Sequence, residues 1–258
     1  MVGRRITTPI FGNGLIEAIP HSAILASQDP GDANQDGISG RANILFNPET
    51  RTKEVGRFGW KCQVSSVHLF AGDAYRNEMG ITSPSFPTEV LPQGRAIPPG
   101  ADLVADPEDV NGNAVARLTD FMRFTAAPAP LNAGSPEARA LFASTGCASC
   151  HTPTMTTGAN AVAALANKQV NLYSDLLLHD MGSQLADGIR QGLASGTEFR
   201  TAPLWGVRFR RILLHDGRAQ TVDQAVRLHG GEATNSISRY IGLTPANRTT
   251  LLNFVQGL

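Results

Sequence analysis

The run Cys147-Ala-Ser-Cys150-His151 constrains this chain more than any other feature. Two thiols at this spacing, followed directly by an imidazole, form the pattern on which c-type haem is attached. Each thiol adds to one vinyl group of the porphyrin, and His151 is then set beneath the iron as an axial ligand. A covalently held haem supplies much of a core by itself, so long Gly-rich loops become tolerable. Two rivals share part of the pattern. A thioredoxin-like dithiol wants a βαβ context, which is missing around residues 147–151. A zinc site wants two more thiolate or imidazole ligands at close spacing, and only Cys62 and scattered histidines remain. Three cysteines are also a poor disulfide framework.

Composition narrows the classes further. The 258 residues carry 22 basic and 22 acidic side chains, so no basic excess draws the chain to nucleic acid. No stretch approaches the roughly 20 apolar residues of a membrane-spanning helix. A hydrophobic share of 41% argues against wholesale disorder. Arg4-Arg5 opens like a twin-arginine signal, but Pro9, Gly12, Gly14 and Pro20 break up the apolar core such a signal needs. With 26 Gly and 16 Pro, long ordered loops between short helices are expected. Lys53, Lys61 and Lys168 are the only lysines; the prevailing arginine suits planar carboxylates, including those of a cofactor.

The chain reads as two parts. Residues 1–124 are loop-rich, with helical stretches near Gly14–Ala18, Ser22–Ser27 and Val115–Arg123. Residues 125–136 read as a Pro/Gly-punctuated linker, and 137–258 as a compact unit of ordinary domain size. That unit opens with a helix capped by Ser135 with Pro136 in its first turn, and closes with one capped by Thr244 and started by Pro245. Between them Thr221 and Gln224 have capping-box spacing, and Val222, Ala225, Val226 and His229 share a face ended by Gly230-Gly231. Few strand patterns are evident, so the expected class is mainly α with long irregular loops.

A sixth iron ligand is open on spacing alone. His229 lies on an apolar helix face, Met181 is a thioether rival, and His179 and His215 are weaker candidates. Histidine would lower the haem potential and methionine raise it.

Longer phrases carry a resemblance. Glu198-Phe-Arg-Thr-Ala-Pro-Leu-Trp-Gly-Val-Arg208, followed by Leu214-His-Asp-Gly217, resembles bacterial di-haem cytochrome c peroxidases. It is still more similar to their relatives, the di-haem oxidoreductase (thiol oxidoreductase-like) family. Pro9–Pro20, Gly56–Lys61, Met79–Pro84, Tyr173–Gly182 and His229–Ala233 extend the similarity over nearly the whole chain. The resemblance implies a cytochrome c-like C-terminal domain plus part of a second one. It implies two c-haems, one for electron transfer and one peroxidatic, in a periplasmic or exported bacterial protein with a redox partner or small electron donor. Cys147, Cys150 and His151 match the C-terminal haem motif, and His229 falls where the peroxidases carry the distal methionine, which favours it over Met181. Trp60 resembles the tryptophan near the inter-haem path, and Glu78-Met79 the pair supplying the peroxidatic acid–base carboxylate.

The chain departs from the family pattern twice. It holds a single Cys-x-x-Cys-His, so the N-terminal haem domain is expected upstream, and Phe70 stands where many relatives carry a glutamine. The function expected is electron transfer through a covalent haem c within a di-haem peroxidase-like oxidoreductase, against a mono-haem carrier with no turnover. Two further readings come from the residues. Arg200, Arg208 and Arg210 flank Trp205 and suit haem propionates. Asp32-Ala-Asn-Gln-Asp-Gly37 opens like a calcium loop, but position twelve is Asn43 rather than Glu, so an Asx-turn competes with a bound calcium ion.

Overall fold

A computed structural model describes residues 3–91, 94–131 and 134–258; positions 132–133 of the expected linker lie outside them. In chain order its helices are α1 (Asn13–Ala18), α2 (His21–Ala26), α3 (Val67–Ala74), α4 (Asn113–Phe124), α5 (Pro136–Ser144), α6 (Val222–Leu228), α7 (Thr234–Ile241) and α8 (Pro245–Gln256). The strands are β1 (Ile44–Asn47), β2 (Thr52–Val55), β3 (Met155–Thr156), β4 (Gln169–Val170), β5 (Leu178–Asp180) and β6 (Glu198–Arg200). They pair only as antiparallel ribbons: β1 with β2, β3 with β4, β5 with β6.

The expectation of a mainly α, cytochrome c-like architecture with a partial second such domain is therefore wrong. The chain is 33% helical and 11% strand, with small sheets and a large irregular remainder. The longest helices have 12 residues. Glycine and proline explain the shortness: they remove helical hydrogen bonds and open left-handed turns before a fourth turn can form. The ribbons leave no sequence signal because strands of two to four residues are too short to show an alternating pattern.

The helices that do form have clear causes. Side-chain oxygens of Ser66, Ser135, Thr221 and Thr244 accept from the third backbone N–H of α3, α5, α6 and α8 respectively. Each such cap stabilises by about 1 kcal/mol. Gln224 bonds the backbone N–H of Gln220 rather than that of the cap, a near-miss of the expected capping box. One full turn of π-helix, Tyr75–Met79, continues α3.

Two apolar clusters hold the fold. The first gathers Ile16, Ile19, Ile24, Val55, Phe58, Val67, Val115 and Met122 with Leu172, Leu176, Leu177 and Trp205, so it draws on both sides of residues 125–136. The second joins α5, α6 and α8 through Ala138, Phe142, Val222, Leu251, Phe254 and Val255. Within it Phe142, Tyr173 and Phe254 meet edge to face at 5.6–5.9 Å. The second cluster forms the floor of a mostly apolar cavity.

Candidate functional site

Gly146, in a left-handed conformation, ends α5 and turns the chain into a short 3-10 turn over Cys147–Ser149. This turn brings Cys147, Cys150 and His151 to the wall of the cavity. Both cysteines are free thiols. Burial pushes the Cys147 thiol up, opposed by the Thr145 hydroxyl 3.4 Å away.

Four histidines line this cavity, and two of them, His151 and His229, keep a nitrogen without a protein partner among the described residues. His151 follows the cysteines, and His229 caps the C-terminus of α6. His151 Nδ1 lies 2.9 Å from the Tyr173 carbonyl, and His229 Nδ1 lies 2.6 Å from the Ala225 carbonyl. A carbonyl only accepts, so each Nδ1 must carry the proton, and each Nε2 keeps a free lone pair. Neither Nε2 has a protein partner among the described residues. Burial lowers His151 to about 4, with a further push from the neighbouring His229, and burial also lowers His229. Both imidazoles are thus neutral at pH 7, the form in which histidine ligates iron. A backbone carbonyl fixing the tautomer and ring is the usual support of a metal-bound histidine.

His179, the weaker axial candidate, is committed elsewhere. Its Nδ1 lies 2.8 Å from Glu232 and its Nε2 2.8 Å from Asp175. Burial opposes its charge, but hydrogen bonds to Asp175, Cys150 and Glu232 overcome that and push it up to about 12. With both nitrogens donating, His179 has no lone pair for a metal. The ring lies so close to Gly40 that a Cβ there would sit 2.6 Å from it. Its Nδ1 also lies 3.6 Å from Cys150 Sγ, so the imidazolium borders the thiol pair.

The opposite wall is built from β6 and the segment around Trp60. Pairing of His179 with Phe199 across β5 and β6 places both rings on the cavity side. Phe199 stacks on His215 at 4.2 Å, and Trp60 meets His215 edge-on at 6.3 Å. Residues 5–7 run across this wall. Ile6 donates its N–H to His215 O and accepts from Trp60 Nε1, both at 2.7 Å, and Arg5 pairs with Asp187.

Arg200 is buried in the same wall. One terminal nitrogen donates to Arg57 O at 2.7 Å, while its buried Nε has no partner. An uncompensated guanidinium lining a mostly apolar cavity suits an anionic group there.

The structure thus gathers Trp60, Cys147, Cys150, His151, Met181, Arg200 and His229 around one cavity. Trp205 instead lies in the first apolar cluster, and Glu78 is exposed on the π-helical turn. Arg210 reaches the cavity and lies over the Trp60 ring, whereas Arg208 is bound to the Leu258 and Ala129 carbonyls. The Asp32–Gly37 loop uses its carboxylates on its own backbone: Asp32 accepts from Gly37 N–H and Asp36 from Ile38 N–H. The pairing of His179 with Asp175 and Glu232, and the stack of Phe199 on His215, were missed from sequence. Only the charges embedded in the apolar run 173–182 signalled the first.

The residues present fit a haem: a thiol pair, two neutral histidines presenting free nitrogens, apolar walls and a buried cation. Among the described residues no helix is long and apolar enough to cross a membrane. A comparison with curated proteins finds no match. The family model described as di-haem oxidoreductase, putative peroxidase, matches residues 1–258, and the chain belongs to that family.

Proposed function

We propose that this chain binds one haem c covalently through Cys147 and Cys150, that His151 and His229 would hold its iron, and that it carries electrons for a peroxidase-like oxidoreductase. The observation that supports this best is the pair of neutral imidazoles, each oriented by a backbone carbonyl, whose free nitrogens share one apolar cavity beside the cysteines. When bound, such a group supplies a one-electron ferric/ferrous couple. The protein residues do the rest. Tyr173 and Ala225 hold the histidine tautomers, Arg200 would face a carboxylate of the bound group, and Phe199, Leu204, Val226 and Tyr240 supply apolar walls around it.

His151 and His229 would both be engaged in holding the group, which favours an electron-transfer role over peroxide chemistry at this cavity. Trp60, on the cavity wall, is its outlet toward a partner. Glu78 lies apart, exposed, so acid–base work by it would belong to a different site. The second haem of the family name has no Cys-x-x-Cys-His of its own in these 258 residues. Thioether formation takes place outside the cytoplasm, so the reading places the working protein in the periplasm or beyond.

The test is an optical spectrum, oxidised and reduced, of the chain exported with a cytochrome-maturation system. A sharp reduced c-type band is expected, with haem retained on a denaturing gel. Cys147→Ser with Cys150→Ser should abolish that retention. His229→Ala should convert the low-spin spectrum to high-spin, and Met181→Ala should leave it unchanged. The reverse outcome for the last two variants overturns the ligand assignment; a colourless wild type with titratable thiols overturns the haem.

A further inference from the structure

Lys61 is fully buried, an unusual place for a lysine. Its ammonium donates to the carbonyls of Ser195 at 2.8 Å and Glu198 at 2.6 Å, and lies 3.4 Å from Asp187. It also sits 3.9 Å above the Phe199 ring. Phe199 in turn stacks on His215, and both rings line the cavity. One aromatic layer therefore separates a buried positive charge from the cavity.

The charges around it do not cancel. Asp187 is shared between Lys61 and Arg5, so this trio carries one net positive charge. Glu198 is already matched by Arg41. Arg200, on the same strand, adds a second buried cation with no carboxylate partner. In a low-dielectric wall such charges act at longer range than they would in water.

We propose that Lys61 is a positioning residue that raises the reduction potential of the group held in the cavity, acting across the Phe199–His215 wall. The inference rests on the haem reading above. A buried positive charge disfavours the ferric form, which carries one more positive charge than the ferrous, and so favours uptake of the electron. The cation–π contact also holds Phe199 flat against His215. Lys61 thus combines charge and wall-building in one side chain, and Asp187 opposes the charge.

Opposite signs make the test specific. Spectroelectrochemical titration of the full haem-loaded chain would compare wild type with Lys61→Met and Asp187→Asn. At a fixed ambient potential, Lys61→Met should shift the reduction equilibrium about tenfold toward the ferric form, about 59 mV for a one-electron couple. Asp187→Asn should shift it toward the ferrous form. The low-spin bands should stay where they are in both variants, which separates charge from ligand loss. Both variants moving in the same direction, or neither moving beyond about twofold, overturns the proposal. If Lys61→Met does not fold, Asp187→Asn alone decides between the outcomes. A wild type without haem bands removes the underlying reading along with this one.

Discussion

Replacing Glu232 by Gln tests the charged network that borders the thiol pair. Glu232 accepts four hydrogen bonds: from His179 Nδ1 at 2.8 Å, Ser39 N–H at 3.0 Å, Ser39 Oγ at 2.9 Å and Asp180 N–H at 3.1 Å. The amide keeps the shape but turns an NH₂ toward groups that are themselves donors. Burial resists the carboxylate charge, yet the His179 bond and the two backbone N–H groups hold Glu232 down at about 2. Against the ordinary glutamate value of 4.5, that depression corresponds to about 3 kcal/mol at neutral pH; solvent screening at the partly open rim reduces it to roughly 2 kcal/mol. Because the folded-state value is depressed, this contribution is fully present above pH 4.5 and fades as pH falls toward 2.

Urea unfolding followed by circular dichroism should therefore give the variant a lower midpoint at pH 7 with an unchanged slope. The gap between the proteins should shrink to less than half its neutral value by about pH 3. A gap below about 1 kcal/mol at pH 7 would place the pair among surface-like ion pairs of little worth. A gap equally wide at pH 3 would show that shape, not charge, holds the network. Either result would refute the reasoning.

Two further predictions concern the first half of the chain. A Cβ on Gly56 would sit 1.9 Å from the Cys62 carbonyl oxygen and 2.8 Å from a Leu45 methyl, so Gly56→Ala should cost about 3 kcal/mol or more of unfolding free energy in urea. Cys62 is fully buried, and burial pushes its thiol up to about 12; iodoacetamide at pH 8 should leave it unlabelled in the native protein and label it fully once urea is added.

Local chemistry was legible in the sequence wherever a few neighbouring residues decide the outcome. Ser135 with Pro136, Thr221, and Thr244 with Pro245 announce α5, α6 and α8 because capping and a fixed proline φ are local effects. The extents of α1, α2 and α4 match the expected stretches to within two residues at either end. What failed depends on partners far away in sequence. α3 and its π-turn carry no distinctive pattern, and β5 becomes a strand only because β6 and Arg41 flank it. At the site, Cys147, Cys150, His151 and His229 could be named from motif and phrase. The engagement of His179 could not, since it is set by Glu232, 53 positions downstream.

The strap formed by residues 5–7 bears on the order of assembly. Arg210 reaches Thr7 across 203 positions, and Ile6 is tied to His215. Contacts this distant close late, after most of the chain's entropy has been surrendered. A ribosome must have released residue 215 before the Trp60 wall can shut. The turn bearing Cys147 and Cys150 depends on near neighbours and can form sooner. Synthesis therefore leaves an interval in which the thiols stand shaped but uncovered, and residues 5–7 act as the latch that ends it.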